Sequence, residues 1–234
     1  MRKRLLLGLL LLLPLVALAQ EVKAPEQIIT VTGSSQVFAS PDEAIVQLGV
    51  QQQDTNASEA QDAANKVANR LIAALEKMGI AKKDVQTSQL SLYPQYNNPK
   101  PGEQSKITSY VASNILSVRL KDLSKVGAVI DAGVTAGVNN VQGIDFNLRD
   151  GRGPRAQALK DAVADARSKA DAIAEALGVK ITGVYDVSTD GGYNPPPRPF
   201  MARGAGLAMK DATPVESGQI EVNVNVTIRY KISG

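Results

Sequence analysis

The most regular pattern in the chain lies near its C-terminal end, where Ile220, Val222, Val224, Val226, Ile228, Tyr230 and Ile232 alternate with Glu221, Asn223, Asn225, Thr227, Arg229 and Lys231. Successive side chains of a strand point to opposite faces, so this alternation spells a long strand with one buried face. At about 3.3 Å per residue it spans roughly 40 Å, beyond the ordinary length of a strand. Such length is expected in a strongly twisted sheet or in pairing with a neighbouring subunit. A second long strand is predicted over 107–120, with Tyr110, Ala112, Leu116, Val118 and Leu120 on one face and Ser109, Ser113, Ser117 and Arg119 on the other. Shorter strands at 28–37, 44–52, 85–93, 141–148 and 181–188 bring the total to seven. Pro41-Asp42 is a turn signal between the first two, which predicts that they form a hairpin.

Three stretches change to helical spacing. The first opens at Asn56, a favourable cap, with Glu59 placed to reach back in a capping box. Ala60, Ala64, Val67, Leu71, Leu75 and Met78 then recur along one face, and Gly79 supplies a left-handed stop. The second helix is short, capped by Asp122, with Leu123, Val126 and Ile130 turned inward. The third has Pro154 in its first turn and ends before Gly178. It carries Ala158, Ala162, Ala166, Ala170 and Ala174 beside Leu159, Val163, Ile173 and Leu177. A ridge of small residues lets a helix lie close on a sheet; a seam between subunits is the alternative. Asp165 and Lys169, four apart, read as a solvated ion pair.

Between Asp190 and Gly218 the pattern stops. Gly191, Gly192, Pro195, Pro196, Pro197, Pro199, Gly204, Gly206 and Pro214 argue against regular structure. The proline run favours an extended polyproline conformation, and Tyr193, Pro195, Pro196, Pro197, Arg198, Phe200 and Met201 make a candidate partner-binding loop. The alternative is an insertion without a partner.

Composition narrows the chemistry. The chain has no histidine and no cysteine, which closes imidazole, thiolate and disulfide chemistry and the usual zinc sites. Arg2, Lys3 and Arg4 precede an almost unbroken leucine run from Leu5 to Leu13, and Ala17-Leu18-Ala19 fits a cleavage site. Residues 1–19 are thus expected to be a signal peptide cut after Ala19, 20–27 a flexible N-terminus, and 28–234 one domain in the periplasm. The apolar run is too short to span a bilayer, so no transmembrane segment is expected after cleavage. With the leader gone, the formal net charge of +3 disappears, because all three excess cations are in it. Nucleic-acid binding through a basic field loses its support.

Three motifs bear on chemistry. Gly151-Arg152-Gly153-Pro154-Arg155-Ala156 matches a dinucleotide fingerprint in letters only, since Pro154 removes an amide that would face phosphate and the next acid at a strand end is Asp190 rather than one about 20 residues on. A turn with a helix start is the simpler reading. Asp186 to Gly191 resembles half a calcium loop, but the closing position is Pro197 where a glutamate is required. Ser124-Lys125 and Ser168-Lys169 are neighbours on helices and so face apart, which leaves a hydrolase without a nucleophile pair. No catalytic, cofactor or metal site is assigned, and the chain reads as a non-enzyme.

The blocks Ile29-Thr30-Val31-Thr32-Gly33, Pro41-Asp42, Gly79-Ile80, Asp84-Val85-Gln86-Thr87, Tyr93-Pro94-Gln95-Tyr96, Tyr110, Asp122-Leu123, Gly137-Val138-Asn139 and Ala162 to Gly178 together resemble the SIMPL-domain family. Its bacterial members include an oxidative-stress defence protein and a periplasmic immunogenic protein. The resemblance implies a SIMPL-like α+β fold: about seven strands in mostly antiparallel sheets, covered by two long helices and one short one. It also implies an exported envelope protein linked to oxidative stress, in some members a large oligomer, with no known catalytic residue. Gly33 and Gly79 are read as turn glycines on this basis. The expected function is non-catalytic, through homo-oligomer formation and contact with an envelope protein partner. A monomeric periplasmic binding module using the 190–218 loop is the alternative, and an envelope hydrolase with a carboxylate pair the least favoured.

Overall fold

The computed structural model describes residues 27–189 and 213–234, together with the backbone of Pro199 and Phe200. In chain order the elements are β1 (Ile28–Ala39), β2 (Glu43–Asp54), α1 (Ala57–Lys77), β3 (Val85–Tyr96), β4 (Ile107–Leu120), α2 (Val126–Ala136), β5 (Asn140–Asn147), α3 (Arg152–Leu177), β6 (Lys180–Thr189), β7 (Pro199–Phe200) and β8 (Gln219–Ser233). All seven expected strands and all three helices are present. The added β7 is two residues long and pairs with β8, Pro199 opposite Ile220, so the Pro/Gly-rich segment is not wholly irregular. A proline is tolerated there because it opens a strand, where its missing N–H breaks no ladder.

The strands form two antiparallel sheets. One has the order β1-β8-β6, with β7 beside β8; the other runs β3-β4-β2-β5. The long β8 therefore uses its length within the chain, between β1 and β6. The expected hairpin of the first two strands is not formed. Every residue from Ile28 to Ala39 pairs with β8, whereas β2 pairs with β4 and β5. The Pro41-Asp42 turn instead carries the chain from one sheet to the other. Asp42 fixes the crossing: its N–H donates to the Asn147 carbonyl at 3.1 Å, and its carboxylate accepts from the Arg149 backbone N–H at 2.7 Å and from Arg149 Nε at 3.1 Å. A turn signal marks a reversal but not the strand that receives it.

Each sheet has its own helical cover. Ala68, Leu71 and Leu75 of α1 and Val126, Val129 and Ile130 of α2 share a buried core with Val46, Leu48, Leu116 and Val118. The cap on α1 is as expected at Asn56, whose Oδ1 accepts from Ser58 N at 2.8 Å. The reciprocal half of the box is not made by Glu59; the Asn56 N–H donates to Asp54 Oδ1 at 2.9 Å. Gly79 takes the left-handed conformation that stops α1, with φ +81°.

The alanine ridge of α3 packs inside the chain. Ala158, Ala162, Ala166, Ala170 and Ala174 are buried with Ile29, Val31, Val224, Val226, Ile228 and Tyr230. Gly33 is not at a turn but in the middle of β1, directly under this ridge. A Cβ there would lie 2.0 Å from the Ala162 carbonyl oxygen and 2.7 Å from the Ala166 Cβ. Its role is to let the helix backbone touch the strand.

Asp165 and Lys169 are more than a solvated pair. They bond to each other at 2.7 Å, while Asp165 Oδ2 accepts from Ser34 N at 2.9 Å and Lys169 Nζ donates to the Thr32 carbonyl at 3.0 Å. The strand β1 is an edge of its sheet, so these side chains occupy open backbone groups on both sides of Gly33. The Lys169 ammonium, and secondarily the Ser34 N–H, hold the Asp165 carboxyl below its ordinary range.

Candidate interaction surfaces

Helical cover stops short of one edge in each sheet. Packing of α3 is mainly on β1 and β8, and β6 extends beyond it. Val184 faces the same side as its partner Tyr230, and Val187 the same side as Ile228, yet they are 55% and 51% exposed. On the helix, Arg167 lies over the Tyr230 ring at 5.5 Å, which turns this flank of α3 toward β6. Val163, one turn earlier on that flank, and Leu159 beyond it are also exposed. The result is an apolar strip between α3 and β6.

The second sheet repeats the arrangement. Leu90 and Leu92 of β3 pair with Asn114 and Ala112 and so share the face that α1 covers on β2 and β4. They are nonetheless 59% and 43% exposed, and Tyr96 and Ile107 continue the uncovered apolar surface. Because β3 is also an edge, apolar side chains stand beside a row of open backbone groups. None of these residues was singled out from the sequence as a site. Alternation predicts which residues share a face, but not how far a helix reaches across it.

The candidate motifs have structural settings. Arg152 donates through its backbone N–H, Nε and a terminal nitrogen to Asp150, holding that carboxyl down to about 2 and marking the start of α3. Asp186 pairs with Arg229 at 3.4 Å, and Asp190 lies outside the described residues. Ser124 Oγ donates to Asp122, while Lys125 Nζ donates to the Met78 carbonyl, so the two do not meet. Of the proposed binding loop, Tyr193, Pro195, Pro196, Pro197, Arg198 and Met201 lie outside the described residues. Only the backbone of Phe200 is described, paired with Gln219 in β7. Among the described residues no group of three or more acidic side chains is placed to hold a metal ion, and no helix is long and apolar enough to cross a membrane.

Among the described residues, two sheet edges flanked by exposed apolar side chains distinguish this two-sheet α+β protein. The signature of the SIMPL family, described as a protein of unknown function (DUF541), matches residues 29–230, and the chain belongs to that family. It is similar to the 26 kDa periplasmic immunogenic protein of Brucella melitensis biotype 1, with 35% identity over 232 residues, covering 94% of this chain and 90% of the relative. It is also similar to the uncharacterized protein YggE of Escherichia coli K12, 25% identical over 217 residues, covering 92% and 87%. The YggE of Edwardsiella ictaluri is 26% identical over 169 residues, covering 72% and 70%.

Proposed function

We propose that the protein is an exported, non-catalytic component of the bacterial envelope that acts by associating with copies of itself and with envelope proteins, in defence against envelope and oxidative stress. The observation that carries this reading is the pairing of an open edge with uncovered apolar residues at β3 and again at β6. Removing such side chains from water is the main favourable term in association, and an open ladder gives the contact its register. The leader-like residues 1–19 and the name of the Brucella relative support a periplasmic setting.

Light scattering on the purified protein at micromolar concentration is expected to give one defined particle of several subunits. A stable monomer overturns the reading. Leu90→Lys with Leu92→Lys places charge on the β3 edge and is expected to shrink the particle while leaving the circular dichroism spectrum unchanged. For the physiological role, a deletion strain is expected to lose peroxide tolerance, restored by the wild-type chain but not by the dissociated variant. N-terminal sequencing of the exported protein should begin at Gln20.

A further inference from the structure

The expected polar face of β4 is not open. Ser109 and Ser113 are buried, and Val111 and Ile115 lie on the same face, nearly inaccessible. Long neutral side chains from the adjoining strands lie across them. Gln53 Nε2 donates to Ser109 Oγ at 2.6 Å, and Gln51 Nε2 donates to Tyr93 Oη at 3.0 Å. Beside this network, where β2 runs on past the first residue of β5, is an open depression of about 580 Å³ lined by Gln51, Gln52, Gln53, Val111, Asn139 and Asn140.

We propose that this depression is a binding site for a neutral oligosaccharide. Its lining carries no charged side chain, so nothing in it would balance an anionic or cationic ligand. Val111 is its one apolar member, which is too little for a purely apolar ligand. An added peptide strand is also a poor fit. The Asn139 carboxamide already makes the two bonds a neighbouring strand would make to Gln51, accepting from its N–H and donating to its carbonyl, both at 2.9 Å. By the alternation of an antiparallel ladder only Gln53 then faces the same open side before β2 ends at Asp54. One residue of ladder does not seat a strand.

What the depression does present is paired neutral donors and acceptors. Gln51 and Gln53 each use one N–H in the network and keep the carbonyl oxygen and second N–H, a combination matched to adjacent sugar hydroxyls. Tyr93 stands next to the depression rather than in its lining, joined to it through Gln51: its hydroxyl accepts from Gln51 and has its own proton to donate, and its ring, 40% exposed, offers a flat apolar surface to the C–H face of a pyranose that extends past the lining. The network also pre-orders these groups before a ligand arrives, which lowers the cost of binding.

Calorimetric titration of the purified protein, expressed from the full chain, with tri-N-acetylchitotriose and with maltotriose tests the site. Saturable binding of either at up to about 10 mM is expected. Gln53→Ala and Tyr93→Ala should each raise Kd about threefold to tenfold, the effect of losing one or two hydrogen bonds or a stacking surface. Tyr93→Phe keeps the ring and should lie between Tyr93→Ala and wild type. Leu90→Lys with Leu92→Lys should bind as wild type does, which separates this site from the association surface. Absence of saturable binding by both sugars overturns the proposal. So does an affinity unchanged in both Gln53→Ala and Tyr93→Phe, the latter serving where Tyr93→Ala fails to fold.

Discussion

Replacing Gly33 with alanine tests the contact on which the first sheet depends. The added Cβ would meet the Ala162 carbonyl oxygen at 2.0 Å, about 1.4 Å short of ordinary contact, and the Ala166 backbone nitrogen at 2.5 Å. Both atoms belong to the helix backbone, so no side chain can rotate away. Either α3 lifts from β1 or the strand bows, and in both cases the alanine layer above Ile29, Val31 and Val226 opens. Overpacking typically costs about 1–3 kcal/mol, and a backbone clash belongs at the upper end, about 3 kcal/mol. The smaller entropy of the unfolded alanine chain returns only about 0.4–1 kcal/mol. For a domain of this size a cost of about 3 kcal/mol lowers Tm by about 6 to 12 °C in a thermal melt followed by circular dichroism. Gly143→Ala in β5 is the control, since its Cβ would meet nothing within 4 Å. It should be neutral or slightly stabilising. Adding Ala166→Gly to Gly33→Ala should not restore stability, because the contact with the Ala162 carbonyl remains. A Gly33→Ala melt within about 2 °C of wild type, or an equal loss in Gly143→Ala, refutes the reasoning.

Leu71→Ala empties a fully covered position between α1 and the second sheet, and should cost about 2–5 kcal/mol, read as a lower urea midpoint. Asp165→Ala unclips β1 from α3 and frees the Ser34 N–H on an open edge, so light scattering during incubation should show faster aggregation than wild type. Asp150 has its carboxyl lowered from 3.8 to about 2 by the Arg152 side chain. A lowered folded value contributes stability above the unfolded value and loses it as pH falls toward the folded one. Urea midpoints should therefore show Asp150→Asn less stable than wild type at pH 7, with the gap closing as pH falls from about 4 to about 2.

Strands and helices were legible because their signals are local. The two-residue alternation of β8, the four-residue spacing of alanines in α3, the cap at Asn56 and the left-handed stop at Gly79 each act over a few residues of chain, and each element formed where those signals lie. The identity of Gly33 was visible but not its purpose, since the atoms that forbid a Cβ there are about 130 residues away in α3. The same distance separates Asp165 from Ser34, which is why an ordinary surface pair turned out to guard a sheet edge.

By itself the sequence determined the inventory: seven strands, three helices and a chain without thiol or imidazole chemistry. Tertiary structure alone decided which strand received which. It sent β1 and β2 to different sheets through Asp42 and Arg149, halted α1 and α3 before β3 and β6, and laid Gln51, Gln53 and Tyr93 over buried serines. Periodicity reports how a segment divides its own faces between water and core. Partner choice and the reach of a covering helix are set by packing between segments far apart in the chain, and it is there that both proposed surfaces arise.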